Sequence, residues 1–256
     1  MTIKNTLRKV HRFVRVLRKQ DFFERKDINV PLMHLGSEYG GWTIAADRLN
    51  SESVVLSAGV GEDISFDLAL YNSIGCNIVL FDPTPKSIQW FKNQRVPAEI
   101  TLKEYGLGGR DEQIDMHLPA NENYVSGTVY NNESTYYKNT VTVDLKTLKS
   151  IMQELAVDEI DLLKLDVEGA EYDVIDRMLQ DHVRPQQLLV EFHHRFPFVG
   201  IDKSRDCIRK LRDVGYRLFR VSDSGEEFSF IYNDIHTNRY TYAQTVERLD
   251  QISKYN

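Results

Sequence analysis

The stretch that decides the fold is Val54-Val55-Leu56-Ser57-Ala58-Gly59-Val60-Gly61-Glu62-Asp63. A short strand-like run leads directly into two glycines, and a segment with helical periodicity follows over residues 64–73. Glycines at a strand-to-helix turn let the backbone pass close to a ligand, and the helix N-terminus adds unpaired N–H groups with partial positive charge. The stretch therefore predicts a βα unit with a ligand site at its turn.

The same alternation of strands and helices continues along the chain. Further strands are predicted near residues 77–81, 100–104, 160–165 and 188–192, and further helices near 86–92, 144–155, 168–179 and 204–214. Two final strands, 216–221 and 227–232, are separated by a short turn, and such a hairpin cannot join parallel neighbours. The pattern predicts a doubly wound α/β sheet, mostly parallel, with an antiparallel last strand. Residues 106–142 are interpreted as an inserted loop or hairpin.

Composition excludes several classes of protein. With 41% hydrophobic and 27% charged residues, the 256-residue chain matches globular usage rather than disorder. No apolar run reaches the roughly 18 to 20 residues of a membrane span, and no secretory signal is visible. Cys76 and Cys207 form neither a CxxC pair nor a metal-ligand spacing, so a reducing cytoplasm is expected.

Charge is distributed unevenly. Residues 1–26 hold nine Lys or Arg against two acids, although the whole chain carries a net charge of -6. The remainder is therefore strongly acidic, which disfavours nucleic acid as a partner.

The basic N-terminal segment is predicted to form one amphipathic helix. Its apolar residues recur at helical spacing, namely Ile3, Leu7, Val10, Val14 and Leu17. Two interpretations stay open: the apolar stripe packs on the domain or on a second subunit, or the helix lies on an anionic membrane surface with the help of Phe13, Val16, Phe22 and Phe23. We divide the chain into residues 1–34, the helix and its connection, and residues 35–256, the main domain.

The glycine turn favours a nucleoside that carries no diphosphate. Ile64 stands where the dinucleotide fingerprint needs its third glycine. Glu62 and Asp63 would repel a phosphate and attract a cationic group. Asp82 ends the next strand, where an acidic side chain binds ribose hydroxyls in doubly wound folds. The alternatives are a plain tight turn and an Asp82 that only caps the turn after it.

Two further blocks place polar groups at strand ends, where open α/β sheets bind ligands. Asp166 and Glu168 follow a buried strand and are interpreted as site residues, whereas Glu171 is interpreted as structural. His193 is a candidate general base, expected on the same strand face as Glu191, and His194 is expected to face the other way.

These blocks together resemble the FkbM-like methyltransferases. The resemblance is carried by residues 59–63, 81–85, 161–171 and 191–194, with residues 35–42 resembling a subgroup of that family. It covers roughly residues 35 to 232, and Asp-Val-Glu-Gly-Ala-Glu at 166–171 is its most specific part. It implies a class I fold with a seven-stranded sheet, use of S-adenosylmethionine, and O-methylation, often of sugar or polyketide hydroxyls.

S-adenosylmethionine also suits the residues, because it carries a ribose and a sulfonium cation but no phosphate. We assign the methionine part to Gly59, Gly61 and Glu62, with Asp166 near it. The ribose is assigned to Asp82 and the adenine to Gly106 and Leu107. Trp42 is placed against the cofactor, with a purely structural anchor as its alternative.

Methyl transfer to a hydroxyl needs positioning and benefits from a base. The candidates, in order, are His193, Asp166 and Glu168. No metal is assigned, although Mg²⁺ would be a minority alternative if these three side chains converge. Residues 121–137, including Tyr124, Ser126 and Thr128, are interpreted as an acceptor-binding wall or as a polar surface excursion.

The sequence thus predicts an O-methyltransferase that acts on a sugar or glycoconjugate. The alternatives are a methyltransferase of another small-molecule hydroxyl, a methyltransferase of an amine, protein or RNA, an NAD-dependent oxidoreductase, and a non-catalytic nucleoside-binding module. We expect a cytoplasmic location, which allows for peripheral membrane contact through residues 1–26. The sequence leaves the oligomeric state open.

Overall fold

A computed structural model describes residues 3–119, 127–128 and 137–232. Its main sheet has seven strands in the spatial order β11-β12-β10-β9-β3-β4-β5. The strands are, in chain order, β3 (Val54–Ala58), β4 (Asn77–Phe81), β5 (Ile100–Lys103), β9 (Leu162–Leu165), β10 (Gln187–Glu191), β11 (Tyr216–Val221) and β12 (Glu227–Tyr232). Strand β12 runs antiparallel to both of its neighbours, and the other pairings are parallel. The doubly wound fold with a reversed last strand is confirmed.

Helices cover both faces of this sheet. They are α2 (Ser65–Ile74), α3 (Pro85–Lys92), α4 (Leu148–Leu155), α5 (Glu171–Gln180) and α6 (Ile201–Asp213). Because side chains alternate along a strand, Val55 packs with α2 and α3 on one face, while Leu56 packs with α4, α5 and α6 on the other. The βα pattern was readable because each buried strand is almost wholly apolar.

Two smaller sheets flank the main one. A hairpin of β1 (Leu32–Leu35) and β2 (Trp42–Ala45) precedes it, so the proposed division at residue 34 falls inside β1. The inserted region forms a three-stranded sheet of β6 (Gly106–Leu107), β7 (Glu112–Pro119) and β8 (Tyr137–Lys146). The predicted hairpin there is confirmed.

Two predicted helices begin too early. Residues 144–146 belong to β8, where Asp144 and Leu145 pair with β7 and Lys146 pairs with β6, and α4 begins only after Thr147, whose hydroxyl accepts a hydrogen bond from the Ser150 N–H. Residues 168–170 form a turn, so α5 begins at Glu171 rather than at Glu168. In both places long-range contacts override the local helical preference.

The N-terminal helix α1 spans Ile3–Leu17. Three residues of its apolar stripe, Val10, Val14 and Leu17, are exposed, whereas Arg12, from the opposite side of the helix, is buried against the body. Among the described residues, no helix combines the length and the apolar character needed to cross a bilayer.

Candidate active site

One large cavity opens at the carboxyl ends of the central strands. Its volume is about 1010 Å³, ample for a nucleoside cofactor and a small acceptor. The turns after β3 and β9 line it, together with the β1–β2 hairpin and the turn between β11 and β12. Seven of the ten predicted site residues border it, which are Trp42, Gly59, Gly61, Glu62, Asp82, Asp166 and Glu168, whereas His193 lies behind the cavity wall.

The turn after β3, residues 59–63, is here called the glycine turn. Both of its glycines adopt left-handed backbone conformations, with φ of 86° at Gly59 and 55° at Gly61. A Cβ at Gly59 would lie 1.8 Å from the carbonyl oxygen of Asp166, whereas a Cβ at Gly61 would meet nothing within 4 Å. Gly59 is therefore needed for packing, and Gly61 leaves an open backbone surface on the cavity.

Asp82 holds the glycine turn in place. Its Oδ2 accepts hydrogen bonds from the N–H groups of Val60 at 2.9 Å and Gly61 at 3.0 Å, and its Oδ1 accepts from the N–H of Thr84 at 2.8 Å. The side chain is almost fully buried but still borders the cavity. The sequence interpretation that Asp82 caps the following turn is thus part of its role, and a carboxylate oxygen keeps capacity for one more donor.

The turn after β9, residues 166–171, is here called the acidic turn. Glu168 has φ of 52° and Gly169 has φ of 103°, so two consecutive residues are left-handed. The buried carboxylate of Glu171 accepts hydrogen bonds from the N–H of Val167 at 2.9 Å and of Gly169 at 3.2 Å. A non-glycine residue in this conformation is strained by about 1–2 kcal/mol, and such strain clusters at functional sites.

His193 gathers three carboxylates around its ring. Its Nδ1 lies 2.9 Å from Glu171 Oε1, and its Nε2 lies 3.3 Å from Glu168 Oε2 and 4.0 Å from Asp166 Oδ1. Burial opposes a charge on the imidazole, but the Glu171 and Glu168 carboxylates outweigh burial and raise the pKa of His193 well above its ordinary value. The three predicted catalytic side chains converge, and Glu171 joins them as a side chain that orients the ring.

The strand assignment of His193 was wrong. Strand β10 ends at Glu191, so His193 lies in the following loop rather than on the strand face of Glu191. The loop nevertheless brings both residues to the same place, since Asp166, Glu191 and His193 each offer one ligand atom within 4.8 Å of the others. Burial and the neighbouring Asp166 carboxylate raise the pKa of Glu191 well above its ordinary value.

Sequence reasoning missed Lys164. This buried residue of β9 donates from Nζ to the carbonyl oxygens of Gly59 at 2.7 Å and Ala58 at 3.3 Å, and it lies 5.5 Å from the centre of the Trp42 ring. A charged residue within an otherwise apolar strand was the available signal, because lysine is almost never buried without partners. Lys164 links the glycine turn to the strand that ends in the acidic turn.

The remaining predicted residues have mixed outcomes. Gly106 and Leu107 do not border the cavity, because Gly106 packs against Pro83 and Leu145 and Leu107 is part of the core. Thr128 is buried, and its hydroxyl donates to the carbonyl oxygen of Glu168 at 2.9 Å. Tyr124, Ser126 and the asparagines of the proposed acceptor wall lie outside the described residues.

His194 is buried on the other side of the loop. Its Nε2 lies 3.3 Å from Asp21, a buried carboxylate of the N-terminal segment, and Arg195 also donates to Asp21. The nearby His194 ring and the hydrogen bonds from Arg195 outweigh burial and hold the pKa of Asp21 below its ordinary value. This cluster fastens the N-terminal segment to the loop that carries His193.

A mostly parallel seven-stranded sheet with one antiparallel strand, and a cavity at the carboxyl ends of its central strands, is the fold of the class I methyltransferases. This class in general uses S-adenosylmethionine. A sequence profile described as "Methyltransferase FkbM domain" matches residues 54–218. The chain belongs to this family of methyltransferases.

Individual relatives are distant. Two curated proteins named "Probable methyltransferase-like protein 24" match the chain. The one from Rattus norvegicus is 26% identical, covering 70% of this chain and 46% of its own length, and the one from Homo sapiens is 25% identical, covering 76% and 50%. The chain thus spans about half the length of these relatives. Among solved structures, the methyltransferase FkbM from Methylobacillus flagellatus KT is 13% identical with a TM-score of 0.44, covering 72% of this chain and 44% of that chain.

Proposed function

We propose that the chain transfers a methyl group from S-adenosylmethionine to a hydroxyl of a sugar or glycoconjugate. The observation that carries this proposal is the convergence, in one cavity, of the glycine turn with Asp166 and Glu168, the carboxylates that lie beside the buried His193 ring. The glycine turn supplies backbone for the cofactor, and the His193 cluster supplies proton acceptors for a hydroxyl.

The cavity fits the cofactor. The open surface at Gly61 admits a ligand against the backbone. Ser87 Oγ and Asp67 Oδ1 are buried without a hydrogen-bond partner among the described residues, and both side chains border the cavity. Buried polar atoms normally have partners, so these two favour a polar ligand nearby. Because Gly106 and Leu107 lie outside the cavity, we move the adenine from them to the Ser87 side, next to Asp82.

The cofactor supplies a methyl group on a sulfonium. In the reaction the acceptor oxygen forms a bond to this carbon, the sulfur–carbon bond breaks, and the hydroxyl proton passes to a base. The Glu171 and Glu168 carboxylates raise the pKa of His193 against the effect of burial, which favours the protonated ring in the free chain. His193 must lose this proton before it can act, and Glu171 keeps its ring oriented meanwhile. Asp166 and Glu168 adjoin it as alternative acceptors.

We propose that the reaction is independent of a metal. Asp166, Glu191 and His193 form a ligand set for a hard cation. However, both ring nitrogens of His193 already contact carboxylates, Nδ1 that of Glu171 and Nε2 that of Glu168, so a cation would have to displace one of these contacts. Turnover should therefore be unchanged by chelation with EDTA. Loss of turnover that Mg²⁺ restores would assign the cluster to a cation instead.

The cavity wall supports a polyol acceptor. Carboxylates of Glu38, Glu226 and Glu227 and the ring of Tyr39 border it. Carboxylates accept hydrogen bonds from sugar hydroxyls, aromatic rings pack on the apolar faces of sugars, and the negative charge disfavours phosphate-rich acceptors such as nucleic acid. A polyketide-type hydroxyl is the second candidate. The cytoplasmic location stays a prediction, consistent with two free, buried cysteines, Cys76 and Cys207.

The test is incubation with labelled S-adenosylmethionine and a panel of glycosides, extracted glycans and polyketide alcohols. We expect a sugar to gain one methyl group, detected by mass spectrometry. His193→Gln should lower turnover about 10²- to 10⁴-fold. The same variant should keep its affinity for S-adenosylhomocysteine, measured by calorimetry. Methylation of polyketide alcohols alone would overturn the acceptor class, and absent cofactor binding in the parent would overturn the function.

A further inference from the structure

Helix α1 presents an apolar ridge to the outside of the molecule. The ridge, here called the outer ridge, consists of Val10, Phe13, Val14 and Leu17, which are 51%, 53%, 38% and 69% exposed. At 100° per residue these four side chains fall within about a third of the helix circumference. A continuous apolar strip of this kind is typical of an interaction surface rather than of scattered surface residues.

The orientation of the ridge is fixed by Arg12 on the opposite side of the helix. Its guanidinium donates to the carbonyl oxygens of Phe22 at 2.9 Å and Ser222 at 3.3 Å, and it lies 3.8 Å from the buried Asp21 carboxylate. Arg12 is 8% exposed. Turning the outer ridge inward would expel this paired charge from its partners, so the ridge stays outside.

The charge around the ridge selects its partner. Residues 3–17 hold five basic residues and no acid. Of these, Arg12 is buried against the body, whereas Lys9 and Arg15 are exposed, and beyond the helix Arg18, Lys19, Arg25 and Lys26 are exposed too. A second copy that paired ridge to ridge would bring two basic helices together, which repulsion disfavours. A bilayer with anionic headgroups accepts the apolar strip and attracts the basic side chains at the same time.

We propose that the outer ridge and the basic residues around it dock the chain onto an anionic lipid surface, with α1 lying in the plane of the interface. Lys9, at 3.5 Å from Asp223, and Arg12 also tie the helix to the turn between β11 and β12. Ser222 and Asp223 of that turn border the cavity. The helix that contacts the lipid is therefore fixed, through its opposite side, to the rim of the cavity. The docking surface is independent of the proposed methyl acceptor.

The test is sedimentation of the full chain with vesicles. We expect binding to phosphatidylcholine mixed with phosphatidylserine, weakening with added salt, and little binding to phosphatidylcholine alone. Phe13→Ser combined with Leu17→Ser should lower the partition coefficient about tenfold or more, because these two side chains supply much of the inserted apolar area.

The contribution of charge is tested by Arg15→Glu combined with Arg18→Glu. This double variant should lower the partition coefficient as strongly as the replacement of Phe13 and Leu17 does. The matched control is Lys149→Glu with Arg209→Glu, since these exposed residues of α4 and α6 make the same charge change away from the ridge. All variants should keep the thermal midpoint and the S-adenosylhomocysteine affinity of the parent.

Three outcomes would overturn the docking proposal. One is equal binding to neutral and anionic vesicles. Another is unchanged binding when Phe13 and Leu17 are both replaced. The third is a parent dimer that the ridge variants convert to a monomer without any effect on vesicles, because this result would make a second copy the partner of the ridge.

Discussion

The glycine turn and the acidic turn solve the same structural problem with different residues. Each leaves a central parallel strand, each contains two left-handed residues, and each has its backbone N–H groups bound by a buried carboxylate. In the glycine turn that carboxylate, Asp82, comes from the neighbouring strand. In the acidic turn it is Glu171, from the turn's own helix, and it also holds His193.

The difference separates two tasks. The glycine turn presents bare backbone at Gly61, which suits close approach of a cofactor. The acidic turn presents side chains, and it holds Glu168 left-handed so that its carboxylate reaches His193. The two turns touch at Gly59, whose backbone lies against Asp166. A change in one turn is therefore expected to be transmitted to the other through this contact.

The largest effect is expected from Gly59→Ala. A Cβ would lie 1.8 Å from the Asp166 carbonyl oxygen, at a left-handed φ of 86°. Both turns must move apart, so we expect a loss of more than about 3 kcal/mol in the free energy of unfolding. Urea unfolding followed by circular dichroism measures it. Gly61→Ala is the control, with open space around the Cβ and about 1–2 kcal/mol of strain alone. Equal losses would show that the turns are not in contact.

Asp82→Ala tests whether the hydrogen bonds of the Asp82 carboxylate hold the glycine turn in place; this role is here called the brace. It leaves the N–H groups of Val60, Gly61 and Thr84 without their acceptor, and each such buried group costs about 1–3 kcal/mol. We expect a loss of about 3 kcal/mol in stability and a large loss of S-adenosylhomocysteine affinity. Glu62→Ala, on the cavity rim, should leave stability within about 0.5 kcal/mol. An Asp82→Ala variant that binds like the parent would contradict both the brace and the ribose assignment.

Glu171→Gln tests the effect of the acidic turn on His193. The amide oxygen can still accept from Val167 and Gly169, but the negative charge beside His193 is gone. Because that charge raises the pKa of His193, its loss lowers the pKa toward the ordinary value.

The limb of the pH–rate profile on which activity rises should consequently move to lower pH in Glu171→Gln. Initial rates across a pH series measure it. Asp173→Asn, on the exposed side of the same helix, is the matched control and should leave the profile in place. A profile of Glu171→Gln that coincides with that of the parent would exclude neutral His193 as the base.

The smallest effect on stability is expected from Glu168→Gly. Glycine relieves the left-handed strain at φ of 52° but adds freedom to the unfolded chain, so stability should change by no more than about 1 kcal/mol. Turnover should fall, because the carboxylate 3.3 Å from His193 is removed. The thermal midpoint measures the change in stability, and kcat measures the change in turnover. A large loss of stability would mean that Glu168 is structural rather than functional.

Most of the sheet could be predicted because its determinants are local. The apolar runs of β3, β4 and β10 are short, continuous and followed by turn residues, and the terminal hairpin has its own turn. The beginning of α4 could not be predicted, because residues 144–146 belong to β8 through pairing with β6 and β7, two strands that lie much earlier in the chain.

The site was predictable by residue type more than by geometry. Carboxylates and a histidine at strand ends indicated Asp166, Glu168 and His193, and these side chains converge. The role of Glu171 was not readable, since a carboxylate in the first turn of a helix usually acts only on the helix dipole. The exclusion of Gly106 from the cavity could not be predicted from the sequence either, because it follows from tertiary packing against Pro83 and Leu145.

The pairing of Asp21 with His194 and Arg195 has a bearing on truncated forms of the protein. A version cut after residue 26 would retain the whole main sheet and both turns, yet it would remove the Asp21 carboxylate that contacts the buried His194 ring and the half-buried Arg195 guanidinium, the two residues that follow His193. Trimming the N-terminal tail to aid crystallisation would therefore loosen the loop that carries His193, although that loop lies far from the tail in the sequence.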